Sequence, residues 1–165
     1  NKYAPKMLMV CSRYISDEDE AKDVLQNGFI KVFKSLKKFK FKGSFEGWIK
    51  RIMINEALSS LRQKKKFLVE NNGAYKDIID DSTQDETPDI DFTQEELLQT
   101  LKKLPETFKV VFNLYCFEKY SHKEIADALS IKVETSRSRL RRARNMLKKE
   151  LLILATQKGK LNERG

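Results

Sequence analysis

Arginines are concentrated in residues 133–150, at positions that leave one side of a helix apolar. Leu140, Ala143 and Leu147 recur three and four residues apart, which is the spacing of a buried helical stripe. The open sides carry mostly polar and cationic groups: Arg137, Ser138, Arg141, Arg142, Arg144 and Asn145. A guanidinium can bond guanine O6 and N7 together, or it can clamp a phosphate. This density of arginine therefore indicates contact with duplex DNA, although a solvated basic face has the same pattern.

A shorter helix must precede the arginine-rich one. Ser121 and Glu124 have the spacing of a capping box, which starts a helix by satisfying free backbone amides. Ile125, Ala126 and Leu129 then fall on one face, and the pattern breaks at residues 130–132. Two helices around a short turn, the second rich in arginine, predict a helix-turn-helix.

A second group of residues with binding chemistry lies at 39–45, where aromatic side chains alternate with lysines. Unpaired bases are held by aromatic faces and cations rather than by a helix that fills a groove. Ser44 is a suitable N-cap for a helix from Phe45 to about Gln63. Its predicted buried side chains are Trp48, Ile49, Ile52, Ala57 and Leu61.

Two further helices are predicted upstream, over residues 2–15 and 17–38. Asp17 and Glu20 can cap the second one. The second helix alternates apolar positions three and four residues apart, and its predicted buried stripe is Ala21, Val24, Leu25, Gly28, Phe29, Val32, Phe33 and Leu36. Its open face carries Asp23, Gln26, Asn27, Ile30 and Lys34.

Charge is distributed in three blocks along the 165 residues, although the net charge is only +9. Residues 1–66 hold 16 basic and 7 acidic side chains, and residues 101–165 hold the same numbers. Residues 67–100 hold 1 basic and 10 acidic side chains. This alternation indicates two nucleic-acid surfaces with an acidic segment between them.

The fold class predicted from these patterns is all-α, with two small helical domains. The first is an N-terminal helical bundle at 1–66, and the second is a helix-turn-helix domain at 94–155. Residues 67–93 lose helical periodicity and form an acidic flexible linker. Helical periodicity returns near Thr93, Pro105 marks a further helix start, and residues 156–165 are expected to be a frayed tail.

The composition excludes several classes of site. Cys11 and Cys116 are far apart and His122 is the single histidine, so neither a disulfide framework nor a zinc cluster is predicted. No apolar run is long enough to cross a membrane, and no signal peptide is visible. We expect a cytoplasmic protein with reduced cysteines, no metal and no cofactor.

The order of these features resembles bacterial RNA polymerase sigma factors of the sigma-70 family, in the extracytoplasmic-function (ECF) group. The segments that carry the resemblance are AKDVLQNGF, GSFEGWIKRIMINEALSSLR and SRSRLRRAR, in two domains separated by an acidic linker. In that family the first domain binds core polymerase and captures the melted −10 promoter element. The second domain reads the −35 element as duplex DNA.

The resemblance implies three sets of site residues. The core polymerase would contact Asp23, Gln26, Asn27 and Ile30. The −10 element would contact Lys40, Phe41, Lys42, Ser44, Phe45, Lys50, Arg51, Asn55 and Arg62. The −35 element would contact Lys123, Thr135, Arg137, Ser138, Arg139, Arg141 and Arg142.

Partners are implied in the same way. They are the clamp and flap regions of core RNA polymerase, promoter DNA as duplex and as melted strand, and an anti-sigma factor. The anti-sigma factor is expected on apolar surface exposed between the two tethered domains. The chain departs from the common family pattern at Asn27, at Lys132 and at residues 134–136, so its preferred −35 sequence does not follow from the resemblance.

Two other function classes remain as alternatives. A free-standing helix-turn-helix regulator would bind duplex DNA as a dimer, but the sequence has no heptad seam, and the aromatic-basic loop would have no role. An enzyme is disfavoured because the chain lacks a phosphate-binding loop and convergent carboxylates.

Overall fold

The computed structural model describes residues 2–64 and 91–162, and all regular structure in these ranges is helical. The N-terminal domain comprises α1 (Ala4–Tyr14), α2 (Glu18–Ser35), a 3-10 turn (Leu36–Lys38) and α3 (Phe45–Gln63). The C-terminal domain comprises α4 (Gln94–Lys102), α5 (Glu106–Cys116), α6 (His122–Leu129) and α7 (Val133–Asn162). The predicted all-α class with two domains is confirmed. Most of the predicted linker, at 65–90, lies outside the described residues.

Side-chain caps set the starts of α2 and α3. The carboxylate of Asp17 accepts a hydrogen bond from the amide of Glu20 at 2.9 Å, and the hydroxyl of Ser44 accepts one from the amide of Gly47 at 3.3 Å. Each bond satisfies one of the amides that the first helical turn leaves without a partner. Both predicted starts are confirmed, and α3 ends at Gln63 as predicted.

The core of the N-terminal domain lies where α1, α2 and α3 pack against one another. From α3, Ile49, Met53, Ala57 and Leu61 are buried. Gly28 lets α2 approach α3 closely, because a Cβ atom at this position would lie 2.3 Å from Sδ of Met53. A larger residue at position 28 would therefore displace the core side chain of α3.

The predicted stripe of α2 is correct at its centre and wrong at its C-terminal end. Ala21, Val24, Gly28 and Val32 are buried, and Leu25 and Phe29 are partly buried. Phe33 is 72% exposed and Leu36 is 46% exposed. Only two neighbouring helices cover α2 within this domain, so the buried strip is narrower than the apolar pattern. The 3-10 turn that begins at Leu36 also breaks the α-helical period.

The helix-turn-helix has the predicted form. Ser121 and Glu124 make both bonds of the capping box at the start of α6. Ser130 ends α6 in a left-handed conformation with φ 55°. This conformation lets backbone carbonyl oxygens at the end of the helix accept hydrogen bonds, and it turns the chain toward α7. Ile125, Ala126, Leu129, Leu140 and Ala143 are buried between the helices of this domain, and Leu147 is partly buried.

Helix α7 continues past the predicted end of the domain at residue 155. It runs for 30 residues to Asn162, so the predicted frayed tail at 156–165 is wrong as far as residue 162. Lys158 anchors this end, because its ammonium group bonds Oε2 of Glu96 at 2.7 Å and the carbonyl oxygen of Asp91 at 3.1 Å. Helix α4 thereby holds the last turns of α7 in place.

The two domains pack against each other. Helix α1 contacts α4 and α5, and α3 contacts α6. One apolar cluster includes Met7 and Val10 from the first domain and Val110, Leu114 and Ile125 from the second. The expectation of apolar surface exposed between two tethered domains is not met by these side chains, which the contact buries.

Within the described ranges, no helix is both long enough and apolar enough to span a membrane.

Candidate nucleic-acid and polymerase interfaces

An aromatic cluster supports the loop between α2 and α3. The ring centroid of Phe39 lies 5.2 Å from that of Phe45 and 5.2 Å from that of Trp48. Phe45 and Trp48 stack at 5.7 Å, and Tyr3 contacts Phe45 edge to face at 5.8 Å. Such ring pairs stabilise a fixed geometry. The sequence prediction included Phe45 in the site but not Phe39, which anchors the loop to the domain.

Phe41 extends from this anchored loop into solvent. Its side chain is 87% exposed, and its backbone is left-handed with φ 54°. Bulky residues rarely adopt this conformation, and such outliers are concentrated at functional sites. Its ring contacts Phe39 at 5.0 Å, while Lys40, Lys42 and Ser44 around it are exposed. The loop therefore presents an aromatic face surrounded by cations.

One face of α3 continues this surface. Arg51, Asn55 and Arg62 lie four and seven residues apart and are exposed, so they share one side of the helix. Lys50 is partly buried because its ammonium group pairs with Glu118 of the C-terminal domain at 2.9 Å. Trp48 is partly buried in the aromatic cluster rather than fully enclosed in the core.

The predicted polymerase-binding face of α2 is accessible. Asp23, Gln26, Asn27 and Ile30 are all exposed, and Ile30 is exposed by 50%. Phe33, three residues further along, extends this face with an exposed aromatic ring. The sequence did not predict that Phe33 is exposed, because its position fits the buried stripe. Exposed large apolar side chains that lie together indicate a contact surface for a protein.

Six of the seven predicted −35 residues lie on the accessible sides of α6 and α7. Lys123, Arg137 and Arg141 are exposed. Thr135 and Ser138 are partly buried, and the Ser138 hydroxyl donates to the carbonyl oxygen of Thr135 at 3.0 Å. The last predicted reader to remain at the surface, Arg142, is partly buried.

Arg139 corrects the predicted −35 set. Only 4% of this residue is exposed, and its buried Nη1 has no hydrogen-bond partner within the described part of the chain. Burial, together with the charge of Arg142, lowers the pKa of its guanidinium below the usual value. Because so little of its surface is accessible, Arg139 is not an accessible phosphate contact.

A brace behind α7 was not predicted. His122 stacks on Tyr115 with ring centroids 4.8 Å apart, and its Nδ1 lies 2.9 Å from Oγ of the buried Ser136. The guanidinium of Arg144 lies over the same Tyr115 ring at 5.6 Å. Burial, with the charges of Arg137 and Arg144, lowers the pKa of His122. These contacts join α5, α6 and α7 and hold the arginine-rich helix at a fixed angle.

Among the residues that the structure describes, no three His, Cys, Asp or Glu side chains are grouped so that they could hold a metal ion. Cys11 and Cys116 are both free thiols. The exposed residues of the two candidate surfaces are mainly aromatic, amide, hydroxyl and cationic groups, which suit bases and phosphates.

Comparison with known proteins agrees with this division into two surfaces. Residues 1–67 match Sigma-70 region 2, and residues 94–147 match Sigma-70, region 4. The RNA polymerase sigma-H factor of Pseudomonas aeruginosa is 32% identical in an alignment that covers 91% of this chain and 82% of that protein. The ECF RNA polymerase sigma factor SigW of Bacillus subtilis is 28% identical in an alignment that covers 90% of this chain and 84% of SigW.

The fold is also found in a solved structure. The sigma factor RpoE from Bartonella quintana, in complex with the anti-sigma factor NepR, matches with a TM-score of 0.54 over 92% of each chain. The two sequences are 19% identical, so this likeness concerns the fold alone. Two matched regions in the expected order, together with relatives that cover nearly the whole chain, show that this chain belongs to the sigma-70 family of RNA polymerase sigma factors, in the ECF group.

Proposed function

We propose that this sigma factor binds core RNA polymerase through the exposed face of α2 and binds a promoter at two places. Region 2 captures the melted −10 strand with the loop at 39–44 and the open face of α3. Region 4 reads the −35 element as duplex with α7. The chain itself is not an enzyme, since it contributes binding and positioning while the polymerase carries out the chemistry.

The observation that carries this proposal is the geometry of Phe41. The backbone of Phe41 is left-handed, and its exposed ring contacts the ring of Phe39 below it. The exposed ring therefore offers a flat face to an unpaired base. Lys40 and Lys42 beside it can contact the phosphates on either side of that base. A protein that only reads duplex DNA through its major groove has no use for this arrangement.

Asn55 supplies the base-edge contact in the proposal. Its amide has both donors and an acceptor, so it can pair with the edge of a base turned out of the duplex. Arg51 and Arg62 on the same face of α3 would hold the backbone of that strand. Lys50 would join them once its ammonium group is released from Glu118.

The proposed partners are core polymerase, promoter DNA in both forms and an anti-sigma factor. Support for the first comes from the apolar patch of Ile30 and Phe33 on α2. Support for the last comes from the RpoE structure, which contains the anti-sigma factor NepR. A protein that works with the polymerase acts in the cytoplasm, and we propose that location here.

A transcription assay with purified core polymerase tests the proposal. We expect promoter-dependent transcripts only when this chain is added, from templates selected out of a random −10 and −35 library. Absence of both transcripts and core binding, with folded protein, would contradict it. Duplex binding that needs no polymerase would instead favour a free-standing regulator.

Replacement of Asn55 by alanine tests the role of its amide. We expect Asn55→Ala to weaken open-complex formation by about 1–3 kcal/mol, the scale of one base-edge contact, while binding to core polymerase is unchanged. Permanganate reactivity of unpaired thymines reports melting, and gel filtration reports core binding. Equal loss of both would show that Asn55 has only a structural role. Gln63, an exposed amide eight residues further along α3, provides a control, since Gln63→Ala should change neither.

A further inference from the structure

A hydroxyl group is buried inside the helix-turn-helix, at the start of the arginine-rich helix. Ser136 is 0% exposed, and it lies in the stretch where the chain departs from the common family pattern. A buried hydroxyl is unfavourable unless it has a hydrogen-bond partner. The partner is His122, the first residue of α6, whose Nδ1 lies 2.9 Å from Oγ of Ser136. The two side chains therefore form a polar link between α6 and α7.

The imidazole of His122 is fixed from two sides. Its ring stacks on the ring of Tyr115 in α5, with centroids 4.8 Å apart and an angle of 23° between the planes. Its Nδ1 is bonded to Ser136 in α7. Rotation of the side chain would break the stack and the hydrogen bond together. The ring therefore fixes the first turn of α7 relative to α5 and α6.

This polar link lies directly beside two side chains of the proposed −35 surface. Lys123 follows His122 on α6, Arg137 follows Ser136 on α7, and both cations are exposed. His122 itself is partly exposed, so it lies at the border between the domain interior and this surface. Under the proposed function, phosphates of duplex DNA approach these cations.

Two cations of α7 oppose a positive charge on His122. Burial lowers the pKa of the imidazole first, and the charges of Arg137 and Arg144 lower it further. Tyr115 holds Arg144 nearby, because the guanidinium lies 5.6 Å from the centre of the ring on which His122 stacks. A DNA phosphate bound to either arginine would cancel part of this repulsion.

The other charged or titratable groups near His122 come from α5, from α6 and from α3: Tyr115, Lys123, Glu124 and Arg51. The carboxylate of Glu124 is occupied by the capping box, where its Oε2 accepts from the Ser121 amide at 2.7 Å. Arg51 acts on that same carboxylate. The charge state of His122 therefore depends chiefly on burial and on the two arginines of α7.

A hydroxyl at position 136 suits a histidine that changes its charge. When the ring is neutral with its proton on Nε2, the Ser136 hydroxyl donates to Nδ1. When the ring is charged, Nδ1 carries a proton and donates to the Ser136 oxygen. The hydrogen bond is kept in both states, so the ring can take up a proton without releasing the start of α7.

We propose that His122 is a positioning residue of the −35 surface and that it takes up a proton when duplex phosphates bind at Arg137 and Arg144. Its bond to Ser136 holds the start of α7, and the added charge strengthens the attraction to the phosphates. The coupling is reciprocal, so a fall in pH strengthens −35 binding by the factor by which binding favours the proton. This inference rests on the proposed function, since it requires contact between region 4 and duplex DNA.

Binding of holoenzyme to promoter fragments tests the proton uptake. Core polymerase is combined with the natural chain or with His122→Asn, and fluorescence anisotropy measures the affinity for a labelled promoter fragment between about pH 8 and about pH 5.5, the range in which histidine titrates. Asparagine carries a polar atom near the place of Nδ1 but takes up no proton in this range. The ratio of the affinities, natural chain over His122→Asn, cancels the pH response of the polymerase itself.

We expect this ratio to be close to one at the upper end of the range. As the pH falls, it should rise by up to about tenfold, the effect of a change of one pKa unit on DNA binding. Loss of folding at low pH would lower the ratio instead, because a histidine with a lowered pKa destabilises the natural chain there. A rising ratio therefore cannot come from unfolding.

A shortened promoter fragment is the matched control. It keeps the −10 element and ends before the −35 element, so region 4 has no phosphates to contact, and the ratio should stay flat.

The positioning role is tested on the full fragment with His122→Ala. Loss of the bond to Ser136 should weaken binding by about fivefold at the upper end of the pH range, the effect of one hydrogen bond. His122→Asn should retain the affinity there, because its amide can replace Nδ1 as the partner of Ser136.

The outcomes distinguish this inference from the proposed function. A flat or falling ratio on the full fragment would overturn the proton uptake, as would the same rise on the shortened fragment. Equal weakening by His122→Ala and His122→Asn at high pH would overturn the positioning role. A holoenzyme that does not form, or that binds no promoter at any pH, would contradict the proposed function and the inference with it.

Discussion

Arg137 and Arg139 are two residues apart, and their environments are opposite. Arg137 is exposed, whereas Arg139 is 4% exposed. The sequence predicts both as cations beside an apolar stripe. Successive positions in a helix are rotated by about 100° around its axis, and residue type does not show where the buried stripe ends. Arg139 lies just inside that edge. Composition therefore predicted a basic helix, and packing decided which of its arginines stay accessible at the surface.

Replacement of Arg137 tests whether it reads a base. If it makes a bidentate base contact, Arg137→Ala should weaken binding to the selected −35 sequence by about 1–3 kcal/mol and relax the preference at one position. Lys149→Ala, an exposed cation further along α7, is the matched control. Uniform weakening on all sequences, with a smaller dependence on salt, would make Arg137 a phosphate contact.

His122 provides a pH-dependent reporter of the brace behind α7. Its pKa is lowered, first by burial and then by Arg137 and Arg144. As the pH falls below about 6.5, the unfolded chain therefore takes up the proton before the folded chain does, and stability is lost down to the folded pKa. We expect the free energy of unfolding to fall more between pH 7 and pH 5 in the natural chain than in His122→Gln.

The NMR titration of His122 is the direct measurement, because the chain has one histidine. A midpoint at or above the ordinary value of about 6.5 would contradict the lowered pKa and the packing that causes it.

At the scale of elements, the close approach of α2 and α3 depends on Gly28. A Cβ atom there would lie 2.3 Å from Sδ of Met53, which is itself 0% exposed. Overpacking of a core typically costs about 1–3 kcal/mol, while alanine favours a helix over glycine by about 1 kcal/mol. The packing term is larger, so Gly28→Ala should lower the free energy of unfolding by about 1 kcal/mol.

Gly159 on α7 is the control for this substitution, because nothing lies within 4 Å of the position of its Cβ. Gly159→Ala should raise the free energy of unfolding by up to about 1 kcal/mol, through helix propensity alone. Chemical denaturation measures both variants. The same sign for the two would show that the approach of α2 to α3 does not depend on glycine.

Element boundaries were predictable wherever a side chain caps the backbone. Asp17, Ser44 and Ser121 start their helices as their types and positions predict. The end of α7 was not predictable in the same way. It depends on Lys158, whose partners Glu96 and Asp91 lie more than 60 residues away along the chain.

At the scale of the molecule, the apolar cluster that runs through both domains couples their stability. Asn113 is part of this contact, because its Nδ2 donates to the Arg13 carbonyl oxygen at 2.5 Å. Asn113→Ala removes this bond and leaves the partly buried carbonyl oxygen of Arg13 without this donor. We expect a loss of about 1–3 kcal/mol in the free energy of unfolding.

Thr107→Val is a suitable counterpart to Asn113→Ala. The Thr107 hydroxyl is buried without a hydrogen-bond partner in the described structure, so its replacement by a methyl group should be neutral or stabilising. Thermal unfolding compares the two variants. If Asn113→Ala unfolds at the same temperature as the natural chain, the two domains do not pack against each other in solution.

The sequence alone determined the helical class, the order of the two regions, the capped helix starts and the residue types of both proposed DNA surfaces. These features depend on local spacing and residue type, which a linear pattern records. Only the tertiary structure decided that Phe33 is exposed, that Arg139 is buried, that Phe39 anchors the loop and that Glu118 meets Lys50. Each of these depends on which surfaces cover one another across long separations in the chain, and periodicity along one helix contains no information about its neighbours.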